Sequence, residues 1–269
     1  MTMRVENLSV TYETTGGRRV PAVKEVDLTI EIGEFVSIIG PSGCGKSTLL
    51  HSMGGLIAPT TGQVHVGDDL VKGPNPSRAA FVFQDYSLFP WKPVVENAAM
   101  GLRFAGVGKN ERRERAMSQL KVVGLEDVAD SYPSELSGGM QQRVAVARGL
   151  AMEPEILLMD EPFGALDEQS RRRLGIEMSG VLTETGRTVV MVTHSLDEAI
   201  FWADRVLVMS KGPGQIIAEL TVDRPRPRRA DFMKEPSFDA LRAELFDLLE
   251  VTAGADADDE EPASVGGTT

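Results

Sequence analysis

The spacing of apolar positions along this chain changes several times, and each change marks an element. Near the start, "RVENLSVTYE" (4–13) and "VKEVDLTIE" (23–31) alternate apolar and polar residues in part, which predicts strands with one buried face. "FVSIIG" (35–40) is apolar almost throughout and predicts another strand. "EILLMDEP" (155–162) and "RTVVMVTH" (187–194) have the composition of buried parallel strands. "QVHVG" (63–67) and "AAFVFQD" (79–85) predict two short ones. Helical spacing takes over in "GKSTLLHSMGGL" (45–56), from Val94 to Gly124 in the segments "VENAAMGLRFAG" (95–106) and "KNERRERAMSQLKVVG" (109–124), from about Met140 to Ala151, and in "DEQSRRRLGIEMSGVLTETG" (167–186). "RVLVMS" and "QIIAEL" read as a closing hairpin through "KGPG" (211–214). In "SFDALRAELFDLLE" (237–250), Phe238, Leu241, Leu245 and Leu248 fall on one face, which predicts a packed C-terminal helix. Strands alternating with helices predict an α/β fold with a parallel sheet.

Composition narrows the partners. The 269 residues carry 28 basic and 40 acidic groups, a formal net charge of -12. Five of the acids (Asp256, Asp258, Asp259, Glu260 and Glu261) lie in a final stretch without Lys or Arg, and the rest of the chain still carries -7. Such a chain gains nothing from counterion release on DNA or RNA, so no nucleic-acid partner is expected. No run approaches the roughly 20 apolar residues of a membrane span, and the N-terminus lacks the apolar stretch of a secretory signal. The chain is therefore expected to be soluble and cytoplasmic. Its single cysteine, Cys44, excludes an internal disulfide and fits a reducing compartment. "RPRPRR" (224–229) reads as a stiff, extended connector, and the acidic tail at 252–269 is expected to be disordered.

Between the predicted strand "FVSIIG" and the helix after it, "GPSGCGKST" fits G-x-x-x-x-G-K-[ST] in the strand-to-helix setting that motif requires. It comprises Gly40, Pro41, Ser42, Gly43, Cys44, Gly45, Lys46, Ser47 and Thr48. Gly43 and Gly45 let the backbone turn tightly, so that several N–H groups face one anion. Lys46 would reach the β- and γ-phosphates of a nucleotide, and the Ser47 hydroxyl would ligate Mg²⁺. Cys44 reads as a small buried side chain inside the loop. The strand "EILLMDEP" ends on two acids, Asp160 and Glu161, and buried neighbouring carboxylates need a cation or a task. Asp160 would hold the water shell of Mg²⁺, and Glu161 would orient and deprotonate an attacking water. A second glycine turn, "LSGG" (136–139), stands ahead of a predicted helix and offers a second anion site.

With the loop, the acid pair and "LSGGMQQR" in one chain, residues 3 to 220 or so resemble the ATP-binding subunit of an ATP-binding-cassette (ABC) transporter. The resemblance implies a P-loop NTPase fold of the ABC type: a mostly parallel core sheet, an antiparallel β subdomain, and an α-helical signature subdomain at about 86–155. The ATPase domain would occupy residues 1–223, with the connector and C-terminal helix at 224–251. Tyr12 sits where the family's aromatic residue stacks on adenine. Gln84 in "VFQD" matches the glutamine that senses Mg²⁺ and the attacking water, and Asp167 in "GALD" matches the loop that contacts the partner subunit. His194 in "VTHSLDEA" matches the switch histidine at the γ-phosphate. Met140 stands where many members have glutamine. In the family two cassettes pack head to tail, and Ser137, Gly138 and Gly139 of one would bind the ATP held by the other.

The resemblance narrows further. "LFPWKPVVENAAMGL", "THSLDEAIFWADRVLVMS" and the "GPGQI" turn are similar to the branch that imports nitrate, sulfonates and taurine. It implies an ATPase with a separate membrane permease, an extracytoplasmic binding protein, and a place on the inner face of a bacterial membrane. Leu88, Phe89, Pro90 and Trp91 would be exposed apolar members of the permease docking segment. The alternative is a soluble nucleotide switch acting on nucleic acid or ribosomes, which the acidic balance and the single cassette disfavour. His51 reads as packing or surface, and Arg171 to Arg173 as a solvated helix face.

Overall fold

A computed structural model describes residues 3–254, with side chains as far as residue 250. Two sheets organise them. One is antiparallel and contains β1 (Met3–Glu13), β2 (Arg19–Ile30), β4 (Thr61–Val66) and the two-residue β5 (Asp69–Leu70), in the order β2-β1-β4-β5. The other contains β3 (Phe35–Ile39), β6 (Ala79–Val82), β7 (Ile156–Asp160), β8 (Thr188–Val192), β9 (Arg205–Met209) and β10 (Ile216–Thr221). Its order is β10-β9-β3-β8-β7-β6, parallel except where β10 returns against β9. The mostly parallel core sheet and the antiparallel sheet both agree with the expected fold class.

The unbroken apolar runs follow from this layering, because the six-stranded sheet is covered on both faces. Ile156, Leu158, Val190 and Val192 face one core, shared with Val5, Val10, Val26 and Val64 of the antiparallel sheet. Leu157, Met159, Val189 and Met191 face the other, beneath the helices. Helix α1 (Lys46–Met53) adds Leu49, Leu50 and Met53 to the first core. The second is roofed by α2 (Val94–Ala98), α4 (Lys109–Val122), α5 (Gly138–Ala151), α6 (Glu168–Glu184), α7 (Leu196–Trp202) and α8 (Pro236–Gly254), while α3 (Met100–Phe104) packs against α5.

Three departures from the sequence reading have local causes. The two helical segments expected between Val94 and Gly124 are three helices: the expected break follows Gly106, which takes φ 79°, and a further one falls at Ala99. Helix α8 runs through Gly254, so the first three residues of the expected disordered tail are helical, and the rest lies outside the described residues. Residues 224–229 form no regular element, yet they are anchored to the body at several points. Arg226 donates twice to Asp204 and once to the Gly33 carbonyl, and it lies over the Phe35 ring. Arg228 is only 4 % exposed and donates to the carbonyls of Ile200, Phe201 and Ala203, which satisfies the C-terminal end of α7. Burial draws its guanidinium pKa down to about 10.

Four neighbouring parallel strands, in the order β3-β8-β7-β6, direct their C-terminal ends to the same edge of the sheet. Those ends lead into Gly40, His194, Asp160 with Glu161, and Gln84 respectively. This is the edge where open α/β sheets bind ligands.

Candidate active site

The loop after β3 is shaped by two glycines in the left-handed region, Gly43 at φ 75° and Gly45 at φ 103°. Gly45 also lies tight against β2: a Cβ there would sit 2.4 Å from the Ala22 carbonyl oxygen. Helix α1 starts directly after it without a side-chain cap, so N–H groups of its first turn remain available to an acceptor from outside. Lys46 is buried and arches back over the loop, its Nζ donating to the carbonyls of Gly40 (2.8 Å) and Pro41 (2.9 Å). Ser42 and Gly43 are exposed at the rim. Cys44 points into the core, where burial pushes its thiol pKa up.

Next on α1, Ser47 Oγ donates to Asp160 Oδ1 at 2.9 Å, joining the helix to the end of β7. Thr48 Oγ1 lies 3.1 Å from the Tyr12 hydroxyl, which brings an exposed ring to the loop from β1. His51, expected only as packing or surface, both packs and reaches the site. His51 packs edge-on to Phe81 and Phe83, and its Nε2 lies 3.3 Å from Asp160 Oδ2. Its i+4 spacing from Ser47, on the same helix face, was the available signal.

Glu161 follows Asp160 at φ 44°, a left-handed position that costs a non-glycine residue about 1–2 kcal/mol. The surroundings hold it there: its N–H donates to the Val192 carbonyl at 2.9 Å, and Gly164 N–H donates to the Glu161 carbonyl. The kink presents Oε2 to His194 Nδ1 at 3.2 Å. Gln84 approaches from β6. A Cβ on Gly164 would lie 3.3 Å from Gln84 Nε2 and 3.5 Å from Glu161 Oε2, so the two side chains flank that glycine. The backbone just beyond Gln84 is pinned by Arg148, which donates to the carbonyls of Tyr86 (2.8 Å) and Ser87 (2.7 Å).

Asp167 caps α6 by accepting from Ser170 N–H at 3.0 Å, and the hydrogen bond to Ser170 holds its carboxyl below the usual range. Ser137 likewise caps α5, accepting from Met140 N–H at 3.3 Å. That helix begins at Gly138, two residues earlier than expected, because both glycines have already entered its first turn. Ser137 and Gly138 are exposed, and Gly138 sits near Leu166 and the Tyr86 hydroxyl. No hydrogen bond among the described residues joins 137–139 to 40–48.

The structure therefore brings Tyr12, Lys46, Ser47, Thr48, Gln84, Asp160, Glu161 and His194 to one edge, while the Ser-Gly-Gly turn makes no bond to that loop. In the segment after Gln84, Leu88 packs on the core and Phe89 is half-buried, not exposed, with Trp91 edge-on to it at 5.6 Å. Trp91 itself is 69 % exposed. It neighbours a groove of about 410 Å³ bordered by Gln84, Tyr86, Leu88, Pro90, Pro133 and Gln141.

Comparison with known proteins adds to this geometry. The model of the ABC transporter family matches residues 23–164. A nitrate import ATP-binding protein of Synechococcus elongatus is 43 % identical over 244 residues, covering 89 % of this chain and 88 % of the relative. A bicarbonate transport ATP-binding protein of the same organism is 46 % identical over 249 residues, which is 91 % of this chain and only 37 % of that longer protein. Among solved structures, a dimeric post-hydrolysis state of an ATP-binding cassette bound to ADP and Pi is 36 % identical, with TM-score 0.71 over 83 % of this chain and 100 % of the other.

Proposed function

The chain belongs to the ABC transporter family as an ATP-binding, ATP-hydrolysing cassette, and on that premise we propose that it energises import of a small oxyanion or organic sulfonate through a separate permease. The relatives named for nitrate and bicarbonate support the oxyanion class. Among the described residues no helix is long and apolar enough to cross a membrane. Trp91 and the groove beside it are the docking surface in this reading, on the inner face of the membrane, with an extracytoplasmic binding protein supplying the solute.

The observation that carries the reading is the pairing of two contacts on adjacent strand ends, Ser47 with Asp160 and Glu161 with His194. In the mechanism we propose, the free N–H groups of the loop and α1 bind the phosphates, and Lys46 exchanges its two carbonyl acceptors for phosphate oxygens. Ser47 and Asp160 offer hard oxygen ligands that suit Mg²⁺, with Gln84 nearby. Among the described residues no cluster of three His, Cys, Asp or Glu could hold a metal, which suits an ion carried mainly by waters and the triphosphate. Mg²⁺ would neutralise charge on the phosphates. Glu161 takes a proton from water as the water oxygen attacks the γ-phosphorus and ADP departs. His194, held by Glu161, orients that carboxylate and faces the γ-phosphate. Tyr12 stacks on the base.

The Ser-Gly-Gly turn completes the site in trans. Two chains would pack head to tail, with Ser137, Gly138 and Gly139 of each meeting the γ-phosphate held by the other, and Asp167 at the same interface. Glu161→Gln is the test. It should lower turnover by about 10²- to 10⁴-fold, leave ATP binding intact and trap an ATP-dependent dimer on size exclusion. Hydrolysis at the wild-type rate would remove Glu161 from the role of base.

A further inference from the structure

The contacts behind Glu161 and His194 form a ring of hydrogen bonds closed by one longer ion pair. On one side, the turn after Glu161 aims three carbonyls at a single guanidinium. Arg171 Nε donates to Phe163 O (3.2 Å), and Nη2 donates to Gly164 O (3.4 Å) and Leu166 O (3.0 Å). Arg171 is therefore not part of the solvated face that the sequence suggested; it turns inward, whereas Arg172 and Arg173 are exposed. On the other side, Thr193, directly before His194, donates its hydroxyl to Glu198 Oε2 at 2.6 Å and accepts Ser195 N–H at 3.1 Å. Ser195 also caps α7 by accepting Glu198 N–H at 3.3 Å. The two sides meet where Glu198 Oε1, buried and without a hydrogen bond, lies 4.0 Å from Arg171 Nε. The circuit runs from Glu161 through its turn to Arg171, then Glu198, Thr193 and His194, and back to Glu161.

We propose that Arg171 and Glu198 are positioning residues which hold the Glu161 turn and the His194 loop in one register for hydrolysis. The inference rests on the roles proposed above for Glu161 and His194. A carboxylate and a guanidinium that are both partly withdrawn from water need further partners, and here those partners are the backbone and hydroxyl groups of the two loops that carry the reacting side chains. Glu161 sits at a strained backbone position, so the contacts that fix its turn govern where its carboxylate points. Lys46 and the phosphate loop are not in this ring, so its loss is expected to change turnover and to spare nucleotide binding.

Steady-state hydrolysis by the full chain tests this with Glu198→Gln, Arg171→Lys and the double variant, alongside Glu161→Gln. Gln keeps the volume and an acceptor for Thr193; Lys keeps the charge but cannot reach three carbonyls as a fork. Each single change should lower kcat about 5- to 20-fold with KM for ATP within about twofold, and the double variant should fall no more than about twofold below the weaker single. Wild-type kcat in both singles overturns the proposal. So do losses that multiply in the double variant, or a KM that rises in step with the fall in kcat. If Arg171→Lys melts below the assay temperature, Glu198→Gln alone decides. An inactive Glu161→Gln beside fully active Glu198→Gln and Arg171→Lys defeats only the positioning role; an active Glu161→Gln defeats the reading of the base itself.

Discussion

The turn before α1 and the turn before α5 both bring glycines to a helix N-terminus, and the proposed mechanism gives each a phosphate, yet they are built differently. The first is locked by its own chain. Gly45 lies against the Ala22 carbonyl, Lys46 bonds across the loop to Gly40 and Pro41, and Ser47 reaches Asp160. The second is open. Ser137 and Gly138 are exposed, and the only side-chain cap is the Ser137 hydroxyl on Met140 N–H. A glycine required by the fold is held by its neighbours within the chain. In the proposed dimer the exposed Gly138 is the glycine that the nucleotide of the other chain would meet.

Three measurements bear on that contrast. The largest effect is expected from Lys46→Ala, which should weaken ATP binding by about 100-fold in a calorimetric titration, the scale of losing charged hydrogen bonds. Ser137→Ala should leave ATP affinity of the isolated chain within about twofold while lowering turnover, and equal binding losses in the two variants would erase the distinction. Next is the glycine pair. Gly45→Ala meets a backbone oxygen and a left-handed φ, and should lower Tm by roughly 5–10 °C. In Gly138→Ala the nearest atom is the movable Leu166 Cδ2 at 3.2 Å, so Tm should shift by less than about 2 °C. Smallest is the thiol. Burial raises the Cys44 pKa, so its thiolate fraction at pH 8 falls below that of a free cysteine, and alkylation should run at least about tenfold slower than in urea. The rate should rise with pH; rapid labelling at pH 7 would mean the first turn opens readily.

How much of this was legible in the sequence depended on whether the chemistry lies within a contiguous run. Phosphate binding needs successive backbone N–H groups, so residues 40–48 declare themselves, and the acid pair at 160–161 stands out because it ends an apolar strand. The alternating strands and long helices were readable for the same reason. Helix α7 was not expected, since its seven residues give barely two turns of periodicity. The two-residue β5 was below any pattern. Arg171 and Arg228 were hidden for a different reason. Both look like surface charge in sequence, and only the fold reveals backbone carbonyls converging on them. His51 shows an intermediate case, since its spacing from Ser47 was readable but the approach of Asp160 from β7 was not.

The anchoring of residues 224–229 has a practical corollary for anyone trimming the protein. A truncation after Asp223, chosen because the last strand has ended, would strip Arg228 from the carbonyls of Ile200, Phe201 and Ala203. Those oxygens would be left unsatisfied at the far end of the short helix that begins just past His194. A minimal soluble fragment should therefore extend at least through Phe232, whose ring lies against Arg228, and damage from a shorter one would register first as misplacement of the histidine loop, some distance from the cut.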